Sequence, residues 1–393
     1  MSSSPHHRVP ATLPTGFTLP TLGRRELVGG VTLGGLMLAS GLSCAGGAQR
    51  GAGPEHQRSA RTTTGRPLGI ALLGLGDYAK SQLAPALAKT QHCKLRGIVT
   101  GSPQKVAQWQ SDYDIPDKNV YDYTSLPQIK DNPDIDIVYV VTPTALHAKY
   151  AIMAAEAGKH VFCEKPMAMN PAECQAIIDA CKKHGRQLAI GYRLHHEPNT
   201  QTVMQLAKQA PYGKIQEIRA VAGDKDNGDF SWRMQRSMGG GALYDMGVYS
   251  INAIRYASGE EPVRVRRARQ WSERPEFSDV DEITEFELEL PSGAVGFGRA
   301  SRHDSGNKLR VTAERGWYEL EPMQAYTGVS GKTSDGRELD REIDNQQAQQ
   351  MDDEALAILE KRPPVVPGEE GLRDVRIVVA IIDSAKRGAP VTL

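Results

Sequence analysis

The run Leu68 to Leu73 is apolar and ends on Gly74-Leu75-Gly76-Asp77-Tyr78-Ala79, and the residues from Tyr78 to Lys89 that follow have helical spacing. A strand, a glycine turn and then a helix is the context that a dinucleotide fingerprint requires. Gly74 would permit the tight turn, Gly76 the close approach of backbone to a pyrophosphate, and Ala79 the packing of helix on strand. The first amides of the helix, at Asp77 and Tyr78, would receive the phosphates. A chance glycine turn is the alternative, and the alternating elements downstream argue against it.

The next strand, Lys94 to Val99, runs into Thr100-Gly101-Ser102. An NAD-selective site would carry an acid here for the ribose hydroxyl, yet no acid occurs from Lys94 to Lys105. Ser102 and Lys105 are instead placed to hold a 2′-phosphate, which makes NADP the expected cofactor; otherwise both are surface residues of a βα loop. Ile135 to Val141 reads as a buried strand leading to Thr142-Pro143-Thr144, with His147 opening a helix to Ala157. His160 to Cys163 is another strand, ending at Glu164-Lys165-Pro166. Ligands of open parallel sheets sit beyond the carboxyl ends of strands, so Thr142, Pro143, His147, Glu164 and Lys165 are expected near the nicotinamide. Asn170, Pro171 and Glu173 supply a cap, a first-turn proline and a capping-box acid, and Gly185 stops the same helix. Leu188 to Gly191 closes a Rossmann domain over 67–190.

From Gly213 onward the pattern shifts to strands: Ile215 to Ala222, Val263 to Trp271, Glu282 to Leu290, Ala294 to Ser301 and Lys308 to Thr312. Thr284, Phe286, Leu288 and Leu290 share one face, while Glu285, Glu287 and Glu289 share the other, where Arg264, Arg266 or Arg267 can meet them across strands. Such alternation suits a sheet with one wet face. The expected fold is therefore α/β, with an N-terminal Rossmann domain and, over 191–393, a C-terminal α+β domain built on an open, mostly antiparallel sheet.

Ahead of both lies a Ser, His and Arg start with no acid before Glu26, an uncharged stretch Leu27 to Ala48, and small residues at its end. This is a signal-peptide pattern. Its twin arginines, Arg24-Arg25, resemble the signal for the route that carries folded proteins, although Gly23 stands where a Ser or Thr is usual. Residues 1–48 are expected to be a cleaved leader to the periplasm, with lipid anchoring through Cys44 ranked second. Five glycines dilute the apolar run, so no permanent membrane span is expected. Residues 49–66 read as a solvated arm or linker. An exported protein leaves the nicotinamide pool behind, so a cofactor would have to be loaded before export and retained.

Lys plus Arg equals Asp plus Glu, 47 each, which argues against a nucleic-acid partner. Cys174 and Cys181 fall on one predicted helix with Cα atoms ~10 Å apart, beyond disulfide reach. They read with Cys93 and Cys163 as small buried hydrophobes, and no metal is expected, His196 and Glu197 having no third ligand.

Gly74-Leu75-Gly76, the Thr142-Pro143-Thr144 to His147 loop, Ala157-Gly158-Lys159-His160-Val161 with Glu164-Lys165-Pro166, and Gly239-Gly240-Gly241 through Tyr249 resemble the Gfo/Idh/MocA oxidoreductases, from about Leu68 to the C-terminus. Gly191-Tyr192-Arg193, Trp232-Arg233 and Pro367-Gly368-Glu369-Glu370-Gly371 make the chain most similar to the periplasmic glucose-fructose oxidoreductase branch. Asp245 and Tyr249, four residues apart on one helical face, then read as an acid/base pair rather than as a cap and a packing residue. Removing hydride from a sugar carbinol requires taking its hydroxyl proton. Tyr249 is the phenol for that transfer, Lys165 the cation beside it, and Asp245 the orienting group. Tyr192, Arg193 and His195, with Trp232 and Arg233, are expected to line a pocket for a neutral polyol.

The resemblance implies an NADP-dependent enzyme that oxidises an aldose to its lactone and reduces a second sugar on the same tightly bound cofactor. It also implies a homo-oligomer that associates through its sheet. A conventional NAD(P)-dependent sugar or polyol dehydrogenase, a redox-cycling glycosidase and a non-catalytic cofactor-bearing sugar-binding protein are the alternatives.

Overall fold

The structure, a computed structural model, describes residues 65–225 and 232–393. The expected leader, and the expected arm up to residue 64, lie outside the described residues. Six parallel strands form the first sheet: β1 (Leu68–Leu73), β2 (Cys93–Val99), β3 (Val120–Tyr121), β4 (Ile137–Val140), β5 (His160–Cys163) and β6 (Leu188–Ile190). Their order, β3-β2-β1-β4-β5-β6, is that of dinucleotide-binding sheets. The crossovers carry helices α1 (Ala84–Lys89), α2 (Val106–Tyr113) and α3 (His147–Glu156), and α4 (Pro171–Lys183) joins β5 to β6.

Both faces of this sheet are covered, which is why its strands read as apolar runs rather than as alternation. Ala71, Leu73, Val138 and Val161 pack with Ala151 of α3 and Ile177 of α4. Ile70, Leu72 and Ile137 face the other way onto Leu87 of α1. The start of α4 is a variant of the expected box: Asn170 accepts from the Glu173 N–H at 3.0 Å, and the Glu173 carboxylate accepts from the Met169 N–H, one residue ahead of the cap, and from the Asn170 side-chain amide, each at 3.0 Å. All four described cysteines are buried and unpaired, and burial pushes the thiols of Cys174 and Cys181 up to about 12.

After α5 (Pro198–Gln209) the chain builds the second sheet from β7 (Ile215–Gly223), β8 (Arg264–Trp271), β9 (Ile283–Glu289), β10 (Val295–Ser301), β11 (Gly306–Ala313), β12 (Gly316–Leu320), β13 (Gly331–Thr333), β14 (Glu338–Leu339) and β15 (Val391–Thr392). The order is β14-β13-β12-β11-β7-β10-β9-β8-β15. Only β7 and β10 run parallel; the remaining neighbours are antiparallel. Helices α6 (Val248–Ser258) and α8 (Gly368–Arg387) cover one face, where Ile251, Ile254, Ile377 and Ile381 meet Phe286, Leu288 and Val311. The other face carries the acids of β9 in ion pairs: Arg267 with Glu287, Arg299 with Glu285 at 2.8 Å and Arg264 with Glu289 at 3.6 Å. A register shift between Val265 and Arg267 takes Arg266 out of this ladder.

The C-terminal segment also returns to the first sheet. Helix α7 (Gln346–Leu359) sets Ala348, Met351 and Ala355 against Ile70 and Leu72. The Val366 carbonyl accepts from the Ile190 N–H at 2.9 Å and so covers the β6 edge. Against α7 lies His196, its side chain fully buried, with Nδ1 at 2.8 Å from Asp353 Oδ2 and Nε2 at 3.6 Å from Glu354 Oε1. Burial opposes its charge, but the two carboxylates outweigh that and raise the pKa. A raised folded pKa contributes stability that is complete below the unfolded value, about 6.5, and is lost as pH rises through the folded value. The stability advantage of wild type over His196→Gln, from urea unfolding, is expected to be larger at pH 6 than at pH 9. An advantage that grows with pH would contradict the assignment.

Candidate active site

The strand order reverses between β1 and β4, and beyond their carboxyl ends lies the crevice in which such sheets take ligands. Gly74 leaves β1 with φ +101°, and a Cβ there would stand 2.9 Å from the Val141 carbonyl oxygen; glycine is required on both counts. A Cβ on Gly76 would meet nothing within 4 Å, so its backbone is open to approach. Ala79 is buried among Ile70 and Leu72 of β1, Tyr78 is half-buried and Asp77 is exposed. The helix here begins with a π-turn, Ala79–Leu83. Pro85, which has no N–H to give, follows it closely, and a wider turn accommodates that loss.

The exposed Lys105 reaches back to donate from Nζ to the Leu75 carbonyl oxygen at 2.7 Å, which places its charge against the fingerprint turn. Ser102 lies at the same strand end, its N–H held by Thr100 Oγ1 at 3.1 Å. Beyond β4, the Thr142 hydroxyl is buried beside Pro143 with no hydrogen-bond partner among the described residues. A buried hydroxyl of that kind calls for a partner. An open Gly76 turn, a lysine on it and an unspent hydroxyl opposite fit a dinucleotide.

His147 and Glu164 stand behind that surface rather than on it. The His147 ring is buried between two carbonyl oxygens, Pro166 at 2.8 Å from Nδ1 and Thr142 at 2.7 Å from Nε2. Burial lowers its pKa against the pull of those carbonyls, and the ring joins the loop after β4 to the loop after β5. The Glu164 carboxylate is likewise buried, accepts from the Tyr139 hydroxyl at 2.6 Å and from the Lys165 N–H at 3.2 Å, and is pushed up by burial. Both residues position the loops of Thr142 and Lys165.

Lys165 and the helix of Asp245 and Tyr249 meet across 80 residues of sequence. The ammonium donates to the Asp245 carbonyl oxygen at 3.0 Å, stands 4.0 Å from Asp245 Oδ1, and lies 4.3 Å from the centre of the Tyr249 ring. Asp245 sits in a second π-turn, Leu243–Gly247, before α6. The spacing to Tyr249 is therefore not that of a regular helix, yet both side chains still reach Lys165. The Asp245 carboxylate also faces Arg233 Nε at 3.2 Å and Arg302 Nη1 at 3.1 Å. Burial pushes its pKa up, but Lys165, Arg233 and Arg302 hold it below the ordinary value. A carboxylate so held is a poor proton acceptor and a good anchor for a cation. The turn is fixed from behind by Asp281, which accepts from the Leu243 N–H at 2.8 Å and the Thr284 hydroxyl at 2.6 Å. Gly241 has φ +104°, and a Cβ on it would collide with that carboxylate.

The residues expected to line the sugar pocket divide. Arg233 reaches Asp245, and its guanidinium lies 4.8 Å from the centre of the Trp232 ring, so this pair stands beside Asp245. Arg193 is buried, and its Nη groups donate to the carbonyls of Gln324 and Ala325 and the side chain of Gln346. It is a clamp, set between the rings of Tyr249 at 5.7 Å and Tyr326 at 4.6 Å. Tyr192 is buried, and His195 Nε2 lies 2.8 Å from Asn252 Oδ1 on the helix of Tyr249. Glu197 caps α5 through the Asn199 and Thr200 N–H groups. Arg302, Asp281 and Tyr326 were not singled out in the sequence. Tyr326 is 43% exposed at the cleft, with its ring 6.1 Å from that of Tyr78. No motif surrounds any of the three.

Residues 68–192 match the family described as "Oxidoreductase family, NAD-binding Rossmann fold", and residues 200–319 match the "GFO/IDH/MocA C-terminal domain". The chain is similar to the solved aldose-aldose oxidoreductase of Caulobacter crescentus, with 40% identity and TM-score 0.80 over 84% of this chain and 100% of that one. It is 28% identical to D-xylose 1-dehydrogenase [NADP(+)] of Haloarcula marismortui, across 85% of this chain and 95% of the relative. It is 24% identical to D-glucoside 3-dehydrogenase of Escherichia coli, across 84% and 99%. With both halves matched and the crevice built where the fold demands it, this chain belongs to the Gfo/Idh/MocA oxidoreductase family.

Proposed function

We propose that the protein is an NADP-dependent sugar oxidoreductase that oxidises an aldose to its lactone and reduces a second sugar on the same retained cofactor. The observation that carries this is the convergence of Lys165, Asp245 and Tyr249 at the carboxyl ends of β4 and β5. The dinucleotide, when bound, supplies hydride acceptance and donation; Gly74, Gly76, Ser102, Lys105 and Thr142 hold it. Tyr249 takes the proton from the reacting hydroxyl and returns it to the second sugar's carbonyl oxygen. The Lys165 charge, 4.3 Å from that ring, balances the negative charge the phenol oxygen acquires. Asp245 keeps Lys165 in place, and Arg233 and Arg302 keep Asp245 ionised. Lys105 on the fingerprint turn, together with the xylose dehydrogenase relative, supports NADP, and the aldose-aldose relative supports a sugar on both sides of the cycle.

An export signal at Arg24-Arg25 makes a retained cofactor necessary, and the protein is then periplasmic. The charged face of the second sheet, with Arg219 over Phe297 and Arg310 over Trp317 at 4.5 and 3.6 Å, is the surface through which copies associate. Denaturing the purified protein is expected to release NADP in near-equimolar amount, and the intact protein to interconvert sugar pairs with none added. Activity that appears only with added NAD or NADP would leave a conventional dehydrogenase as the reading.

A further inference from the structure

A cavity of about 370 Å³ opens under the amino-terminal ends of β1, β4 and β5, the opposite edge of the sheet from the active site. Among its walls are Lys130, Asp131, Asp136, Lys159, His160 and Arg186. Lys159 is only 7% exposed, and its ammonium makes one hydrogen bond among the described residues, to the Asn132 carbonyl oxygen at 2.9 Å. Two of its three N–H groups are unspent. Arg186 gives Nε to the His184 carbonyl at 3.1 Å, and its two Nη groups have no partner among the described residues. His160 Nδ1 accepts from the Gln187 N–H at 3.0 Å, so the ring hydrogen is on Nε2, where it too is unspent. Burial and the neighbouring Arg186 push this histidine down to about 4, which keeps it a neutral donor.

Acceptors are scarce by comparison. Asp136 is taken by Arg66 at 2.7 and 3.0 Å and by the Gly69 N–H at 2.7 Å, which leaves Asp131 as the one carboxylate of the walls without a hydrogen bond among the described residues. A buried ammonium with unspent donors, close to a guanidinium of the same sign, is costly unless an anion completes it. A role for Lys159 in steadying the loop before β4 accounts for one donor only. We propose that this cavity binds a phosphate-class oxyanion, held by Lys159, Arg186 and His160 Nε2.

The test uses the full chain saturated with dinucleotide, so that the fingerprint turn is already filled. Inorganic phosphate is titrated in at constant ionic strength and followed by calorimetry and by ³¹P line broadening. Saturable one-to-one binding is expected, weakened about tenfold by Arg186→Gln through the loss of a charge-assisted hydrogen bond. Lys159→Met is expected to weaken it at least as much, with sugar turnover unchanged in both variants. If Lys159→Met does not fold, the half-buried Arg186 carries the test. Tighter binding of glycerol 3-phosphate than of phosphate would identify a phosphomonoester as the occupant; equal binding would identify the free ion. Non-saturable uptake, affinity unchanged by Arg186→Gln, or displacement by more dinucleotide would each overturn the proposal.

Discussion

Replacing Lys165 by Met is expected to lower turnover about a thousandfold while leaving dinucleotide affinity within a few-fold of wild type. The ammonium contacts Asp245 and the Tyr249 ring, whereas the groups that face a dinucleotide lie at the ends of β1, β2 and β4. Acid–base assistance is worth roughly 10² to 10⁴ in rate, and removing the cation leaves the phenol to carry charge alone. Tyr249→Phe is expected to fall in the same range, and the double variant to be little worse than either single one, because the two act as a unit. Single-turnover hydride transfer from a bound aldose, followed by nicotinamide absorbance, reads this directly. A Lys165→Met enzyme that transfers hydride at the wild-type rate would remove Lys165 from the mechanism. Multiplicative effects in the double variant would separate the two residues.

Replacing Arg255 by Met is expected to cost about 3–5 kcal/mol of stability. Arg255, on α6 and 3% exposed at its side chain, joins Glu370 at 2.6 Å and Asp374 at 2.5 Å on α8, and Glu261 at 2.8 Å. Asn252 donates to the same two acids at 3.1 and 3.0 Å. Methionine fills the volume but leaves the fully buried Asp374 without its cation, while Glu370 keeps Arg373 at 3.0 Å. Asp374 is already pushed up to about 6 by burial, against the pull of Arg255. A carboxyl raised in the folded state contributes stability below its unfolded pKa, near 4, and loses it as pH rises through about 6. Without Arg255 that rise extends further, so the variant's deficit in urea unfolding is expected to be larger at pH 8 than at pH 5. A loss under about 1 kcal/mol at both pH values would show that these acids do not depend on Arg255. Because α6 also carries Tyr249, and Asn252 holds His195, turnover is expected to fall with stability.

Much of both sheets was legible because their signals are local. The alternation of β9, the capping box at Asn170 and Glu173, and the need for glycine at position 74 are each decided within a few residues by backbone geometry and hydrogen-bond reach. The C-terminal helices were not anticipated, and neither was their return to β6 and to the Ile70 face. Nothing in the spacing of 346–387 marks which sheet it joins. Arg193 shows the same limit within the site. Its neighbours Tyr192 and His195 suggest a pocket, but its Nη groups donate to Gln324, Ala325 and Gln346, over 130 residues away. Asp245 and Tyr249 were paired by helical spacing, while the π-turn that carries Asp245 is held by Asp281, just ahead of β9, and its carboxylate by Arg302, just past β10, both far along the chain.

By itself the sequence determined the dinucleotide fold, the family motifs and the residue types that can move a proton, because strand and helix periodicity and glycine's steric freedom act over a few residues. The tertiary structure decided which charged groups share one buried space. It set Asp245 among Lys165, Arg233 and Arg302, tied His147 and Arg193 to buried carbonyls, and put Tyr326 beside Tyr78. Those assignments depend on Coulomb and desolvation terms between residues as far apart as Asn252 and Asp374, 122 positions, and such terms follow distance in space rather than along the chain.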